Sequence, residues 1–142
     1  MKTNLISAFP GTGKTFFNNK DNSFLPVNYS VDSDSSTFDK SDFPRNYIEH
    51  IKNNIGKFVF VFISSHEEVR EALTDNCLYF TLVYPDISLK DEYVRRYKER
   101  GSSEFFIKLL EDNWNKWILQ LQNQDNCKHI VLKRNQFISD VI

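Results

Sequence analysis

Short apolar runs alternate along this chain with segments whose apolar residues recur at helical spacing. The most apolar run, 58–64 (FVFVFIS), is hydrophobic at nearly every position, which is typical of a strand covered on both faces. The runs at 4–8, 79–84 and 129–132 predict further strands, and 26–31 predicts a weaker one. Strands that alternate with helices favour a parallel sheet with helices on both faces. We therefore expect an α/β fold of three layers, α/β/α, with a mostly parallel, five-stranded sheet.

The segments between these runs carry helix signals. Isoleucines at a spacing of three and four predict a helix over 45–55, and a second helix is predicted over 103–122. Ser65 and Glu68 fit a capping box that opens another helix, and 88–91 repeats that signature. The apolar stripe of the long helix is expected to consist of Phe106, Leu110, Trp114, Trp117 and Leu121.

Composition narrows the class of protein. The chain has 142 residues, of which 40% are hydrophobic and 26% charged, and this fits one domain spanning 1–142. A net charge of −1 argues against a general nucleic-acid binder. No apolar run reaches the roughly 20 residues of a membrane helix, and the two cysteines lack metal-ligand spacing. We expect a soluble, cytoplasmic protein with reduced thiols and no membrane partner.

Two of the four glycines lie in the turn after the first predicted strand, 8–15 (AFPGTGKT). This turn matches the pattern G-x-x-x-x-G-K-[ST], except that alanine replaces the first glycine. Gly11 and Gly13 allow backbone N–H groups to point at phosphate oxygens, Lys14 can bridge the β- and γ-phosphates, and the Thr15 hydroxyl can ligate Mg²⁺. The predicted nucleotide-binding residues of the turn are Pro10, Gly11, Thr12, Gly13, Lys14 and Thr15.

The Pro-Gly-x-Gly-Lys form resembles the P-loop of adenylate-kinase-like kinases. Nearly the full chain is also similar to a group of small phage and bacterial P-loop proteins. The segments that carry this similarity are ISAFPGTGKT, VDSDSSTF, NYIEHI, ISSHEEVREAL, LVYPDISLKDEYVRRYKERG and HIVL. The resemblance implies a P-loop NTPase fold of the adenylate-kinase type that binds ATP and Mg²⁺.

A P-loop protein usually has an acid after a second strand to help hold magnesium. The strand over 58–63 is followed by Ser-Ser-His instead, so the carboxylates at Asp32 and Asp34 are the best alternative. Resemblance to polynucleotide kinases and zeta-toxin-like kinases implies that Asp34 accepts the proton of the acceptor hydroxyl, and Asp32 is the candidate metal ligand. Serine follows where those kinases carry arginine, which leaves the acceptor class open. A solvated loop of Asx turns is the alternative interpretation.

Basic residues later in the chain complete the predicted site. The segment 86–102 resembles a kinase lid, in which Arg95, Arg96 and Arg100 would meet phosphate charge. Salt bridges at i,i+4 spacing are an equally good explanation of any single arginine. Arg134 follows the last predicted strand, where adenylate-kinase-like folds contact adenine, although a polar loop explains it as well.

The favoured hypothesis is an ATP-dependent kinase that transfers the γ-phosphate to a small hydroxyl or phosphate acceptor, with nucleosides and nucleotides among the candidates. Lys14, Asp34, Arg96 and Arg100 are its predicted catalytic residues. Thr15 and Asp32 are the predicted metal ligands, and Arg95 and Arg134 are added to the turn as nucleotide contacts. The alternative is a nucleotide-binding interaction module without significant turnover. The charge balance disfavours a third candidate, a nucleic-acid 5′-end kinase. The acceptor, the choice of ATP or GTP and the oligomeric state stay open.

Overall fold

A computed structural model describes residues 2–14, 17 and 29–142. Within them the chain forms an α/β fold around a five-stranded sheet whose strand pairs are all parallel, in the order β2-β3-β1-β4-β5. This confirms the α/β class and the predicted number of strands. The strands are β1 Asn4–Ala8, β2 Ser30–Ser33, β3 Phe60–Ser64, β4 Thr81–Pro85 and β5 Lys128–Leu132.

Four α-helices connect these strands in the described part of the chain. They are α1 Arg45–Asn54, α2 Glu67–Asp75, α3 Lys90–Glu99 and α4 Glu104–Gln122. The Ser103 hydroxyl caps α4 by accepting from the N–H of Phe106 at 3.1 Å, so the predicted start of the long helix is confirmed. None of the described helices is long and apolar enough to cross a membrane.

Among the described residues, the buried apolar side chains form two clusters, as expected for a sheet whose strand residues alternate between two faces. Leu5 and Phe9 belong to the larger cluster, in which the sheet packs against all four helices. Ile6 and Ala8 belong to the smaller cluster, together with Phe17 and residues near the carboxyl end of the chain. The residues of β3 are buried on both sides of the strand, as its continuous apolar run predicts, and the arrangement is compatible with three layers.

Three local predictions need correction. Ser65 does not cap α2: its N-cap residue is His66, and no side chain bonds the free N–H groups there. At 86–89, Asp86 rather than Ser88 is the cap, and it accepts from Ser88 N–H at 2.9 Å to open a 3-10 turn before α3. On α4, Ile107 and Ile118 are buried, whereas Phe106 and Trp117 are only partly buried. The weaker strand begins at Ser30, and its predicted first half lies outside the described residues.

The topology gathers the ends of three neighbouring strands at one edge of the sheet. β1 is central, and its last residue, Ala8, pairs with Ser64 of β3 and Val83 of β4. Ser33, which ends β2, pairs with Ile63. The glycine-rich turn, the Asp34 loop and the start of α2 therefore all leave the sheet at its carboxyl edge, where open α/β sheets bind ligands.

Candidate functional site

The turn after β1 uses both of its glycines for backbone geometry. Gly11 has φ +87° and Gly13 has φ +96°, in the region that favours glycine over residues with a Cβ. A Cβ on Gly11 would lie 2.8 Å from Tyr97 Cε1, and one on Gly13 would lie 3.0 Å from Phe137 Cδ1. The glycines are thus required by conformation and by close approach of α3 and the carboxyl-terminal segment.

Side chains and backbone from distant parts of the chain bind the carbonyls of this turn. Tyr97 OH donates to Pro10 O at 2.8 Å, Arg96 Nη1 donates to Gly11 O at 2.8 Å, and Ile138 N donates to Thr12 O at 2.9 Å. A trans peptide unit points its N–H opposite to its C=O. The N–H groups of Gly11 and Gly13 therefore point away from Tyr97 and Ile138 respectively.

A cleft of about 800 Å³ opens beside the turn. It brings together most of the predicted site residues, since its lining includes Pro10, Gly11, Gly13, Lys14, Asp32, Asp34, Arg96 and Arg100. Thr12 is buried beneath the turn, where its hydroxyl donates to Phe9 O at 2.7 Å. Arg95 and Arg134 are exposed and do not line the cleft, and Thr15 lies outside the described residues.

Asp34 follows β2 and caps the short 3-10 turn Ser35–Thr37. Its Oδ1 accepts from the N–H of Ser36 at 2.9 Å. This hydrogen bond, helped by the positive charge of Lys14, holds the pKa of Asp34 below its usual range. Asp34 is therefore an ionised acceptor at neutral pH, exposed at the cleft and within the electrostatic reach of Lys14.

His66 lies at the carboxyl end of β3 near the same charges. Desolvation by its neighbours, followed by the Lys14 and Lys40 cations, lowers the pKa of His66, whereas Asp34 acts in the opposite direction. The imidazole is consequently neutral at pH 7. It can donate one hydrogen bond and accept another beside the Asp34 carboxylate.

The arginines predicted to contact phosphate differ in their surroundings. The Arg96 guanidinium lies between the rings of Tyr93 and Phe137, at 4.3 and 3.9 Å from their centroids, and forms an ion pair with Glu92 at 3.1 Å. Together with its hydrogen bond to Gly11 O, these contacts indicate that Arg96 stabilises the conformation of the glycine-rich turn. Arg100 is exposed at the cleft, donating to Ser102 Oγ at 3.0 Å, and its charge is available to a ligand.

A network of hydroxyls occupies the end of β3, which carries no acid. Ser64 Oγ donates to Ser35 Oγ at 2.8 Å. The buried Tyr47 hydroxyl donates to Ser33 O at 2.5 Å and accepts from Ser64 N at 3.2 Å. Tyr47 thereby joins the ends of β2 and β3, and this junction positions the loop that carries Asp34.

Sequence reasoning missed Tyr97, Phe137 and Glu92. Glu92 is buried, and its second oxygen accepts from Asn135 N at 3.0 Å, so it joins α3 to the segment that follows β5. Phe137 packs against Gly13 although the two residues are far apart in the sequence, so no local pattern indicates this contact. The one available signal was the spacing of Tyr93 and Tyr97 on the charged helix, which predicts an apolar face.

Comparisons with protein-family models, with curated proteins and with solved structures find no match. Within the described residues no group of three or more His, Cys, Asp or Glu side chains could hold a metal ion by itself.

Proposed function

We propose that this protein is an ATP-dependent phosphotransferase with a P-loop fold of the adenylate-kinase type. One observation carries the proposal: the glycine turn, the Lys14 ammonium, the Asp32 and Asp34 carboxylates and the Arg100 guanidinium line one cleft at the carboxyl edge of a parallel sheet. The donor set fits a nucleoside triphosphate, because it combines backbone N–H groups and two cations for phosphate with carboxylates beside them.

Each group has a role in this proposal. The turn and Lys14 bind the phosphates, and Arg100 offsets the charge that spreads over the transferred group. Asp34 accepts the hydrogen of the acceptor hydroxyl and orients its oxygen for in-line attack. Thr15 and Asp32 are the residues proposed to hold Mg²⁺, which neutralises phosphate charge when it is bound. Arg95 and Arg134 keep their predicted roles as nucleotide contacts only if the nucleotide extends beyond the cleft.

The test combines binding with transfer of label. Lys14→Ala should abolish the ATP-dependent rise in melting temperature, because a phosphate-binding cation is lost. Label from γ-labelled ATP should pass to one member of a pool of nucleosides, nucleotides, sugars, small hydroxy acids and oligonucleotides. Lys57→Ala removes an exposed lysine away from the cleft and should retain full ATP stabilisation.

Asp34→Asn isolates the carboxylate, and Asp39→Asn is its matched control. Both aspartates are exposed, and each accepts a hydrogen bond from the N–H two residues later, but only Asp34 lines the cleft. We expect Asp34→Asn to keep ATP binding and to lower transfer by roughly 100-fold or more, the usual contribution of a general base. Equal transfer rates in the two variants would remove Asp34 from the mechanism.

A nucleotide-binding interaction module is the second candidate, and Ser64 favours it. This serine ends the strand next to β1 and its hydroxyl is bonded to Ser35, so the position gives no carboxylate to the cleft. The interaction module would be supported if ATP binds in a way that depends on Lys14, but no label passes to the pool and no phosphate is released.

A further inference from the structure

A second cavity, of about 260 Å³, adjoins the cleft and shares Pro10 and Phe106 with it. We call it the α2–α4 pocket, because the first turn of α2 and one side of α4 form its walls. Its apolar lining consists of Phe9, Phe106, Leu109, Leu110, Trp117 and Leu121. Its volume lies just below the range of roughly 300–1,000 Å³ found for sites that hold drug-sized molecules, so it suits a single ring.

Arg70 is the charged residue buried in this pocket, with 5% of its surface exposed. Its Nε donates to Ser65 O at 2.9 Å and its Nη1 to Gln124 Oε1 at 2.6 Å. These are its hydrogen bonds within the described chain, and they leave the N–H groups of Nη2 for another acceptor. Both acceptors are neutral.

No carboxylate forms an ion pair with Arg70 among the described residues. Glu67 and Glu71 act on it only at longer range, and burial lowers the pKa of its guanidinium. A buried charge without an oppositely charged partner in contact is unfavourable, and an anion that enters the pocket would relieve that cost.

We propose that the α2–α4 pocket binds a small monocyclic acid, with the ring against Phe106 and Trp117 and a carboxylate or phosphate on Arg70. Arg70 also lines a second groove, of about 440 Å³, but the carboxylates of Glu71, Asp75 and Asp125 line that groove and disfavour an anion there. Glu67 is the carboxylate that lines the pocket itself, and it is exposed at the rim.

This inference rests on the proposed function where it makes the acid the phosphate acceptor. A ring hydroxyl directed towards Pro10 and Phe106 faces the cleft that holds Lys14 and Asp34. Its oxygen forms the new bond to the γ-phosphorus, the bond from that phosphorus to the bridging oxygen breaks, and ADP leaves. The hydroxyl proton passes to Asp34.

Tryptophan indole N–H signals in a proton–nitrogen NMR spectrum of the full chain provide the test. The chain has two tryptophans: Trp117 lines the pocket, whereas Trp114 is buried and donates to Ile87 O at 2.8 Å. 4-Hydroxybenzoate or phenyl phosphate should shift the Trp117 signal and spare that of Trp114, and the comparison of these two probes identifies the preferred anion. Neutral 4-hydroxybenzyl alcohol should bind at least about tenfold more weakly, because it lacks the charge-assisted bond. Equal binding of the neutral probe, or no shift with any probe, overturns the proposal.

Variants at exposed positions keep the test independent of folding. Leu109 is 40% exposed at the pocket rim and Leu119 is 48% exposed elsewhere on the same helix. Leu109→Glu should weaken binding of the acid by about tenfold or more through charge repulsion, and Leu119→Glu should leave it unchanged. Arg70→Gln should abolish the preference for anions, and Leu109→Glu decides the question if Arg70→Gln does not fold.

The two proposals fail in different ways. In Lys14→Ala the acid should still shift Trp117, although ATP no longer binds. An acid that binds without receiving label leaves the pocket assignment standing and removes the acceptor role. Label that moves to another acceptor, with no shift of Trp117, overturns the pocket and leaves the kinase proposal intact.

Discussion

Replacing Gly11 by alanine tests how tightly α3 holds the glycine-rich turn. At this position the backbone has φ +87°, and a Cβ would lie 2.8 Å from Tyr97 Cε1 and 3.2 Å from Tyr93 Cδ2. Both rings are fully buried, so neither can rotate into solvent to make room. The turn or the helix must move when the methyl group is added.

Two costs add at this position. A residue with a Cβ in the left-handed region costs roughly 1–2 kcal/mol, and overpacking a buried site costs about 1–3 kcal/mol. Gly11→Ala should therefore lower the free energy of unfolding by about 2–5 kcal/mol. Gly101 has φ +78°, and nothing lies within 4 Å of the point that an added methyl group would occupy, so Gly101→Ala carries the backbone cost alone, about 1–2 kcal/mol.

Urea denaturation of Gly11→Ala, Gly101→Ala and the parent chain measures the difference. The same samples, melted with and without ATP, should show that Gly11→Ala loses most of its nucleotide stabilisation, because displacement of the turn misaligns the N–H groups. Gly101→Ala should keep it. If the two variants have equal free energies of unfolding, the buried tyrosines do not fix the turn and the reasoning is refuted.

Three further predictions concern charges and hydroxyls around the cleft. Lys14→Ala should raise the pKa of His66, because the ammonium lowers that pKa in the folded protein, and an NMR titration of the imidazole measures the change. Tyr47→Phe should lower the free energy of unfolding by about 1–3 kcal/mol, because Ser33 O and Ser64 N lose a buried partner. Arg96 and Arg100 should separate by role: Arg96→Lys lowers the melting temperature, whereas Arg100→Ala spares it and lowers phosphate transfer.

Each of these has a control elsewhere in the chain. Lys57→Ala should leave the pKa of His66 unchanged, and an equal rise in both lysine variants would contradict the assigned cause. Tyr79 is 69% exposed, so Tyr79→Phe should cost far less than Tyr47→Phe. Arg95→Ala should match the parent chain in melting temperature. A loss there as large as that of Arg96→Lys would mean that the bond to Gly11 O is not the source of stability.

The pH dependence of stability follows from the same imidazole. A histidine whose folded pKa lies below its unfolded value binds a proton more readily in the unfolded chain. As pH falls below about 6.5, the unfolded value of histidine, His66 should therefore destabilise the fold, and above it the effect should vanish. In urea denaturation, His66→Gln should lose less free energy of unfolding than the parent between neutral and acidic pH.

The sheet could be predicted from the sequence because a strand that is buried on both faces is apolar at consecutive positions. The run through Phe62 and Ile63 is apolar without alternation, and this holds whatever strand lies beside it. The order of the strands in the sheet has no local sequence signal, because it depends on how the connecting segments pack against the sheet. The predicted capping box at Ser65 failed because α2 begins one residue later than that pattern requires.

The residues of the candidate site could be predicted where their type and their position after a strand are enough to place them at the cleft. Asp34 directly follows β2 and Lys14 lies in the turn that follows β1, so the carboxyl edge of a parallel sheet brings them together. Arg96 reaches Gly11 across 85 positions of sequence, and its i,i+4 relation to Glu92 indicated only a surface pair. In the structure this pair is largely buried, and the guanidinium also donates a hydrogen bond to Gly11 O. No local sequence pattern indicates that contact.

The packing of α3 limits how a lid over the cleft can move. Tyr93 and Tyr97 are fully buried, and exposing each would cost about 1.5–3 kcal/mol, or about 3–6 kcal/mol together. Swinging the helix out would also break the bonds from Tyr97 and Arg96 to the turn. A free-energy cost of that size keeps the swung-out state below about one molecule in a hundred. In the proposed function, closure over phosphate would therefore depend on the exposed Arg100 side chain at the end of the helix, while the helix itself stays in place as a wall of the cleft.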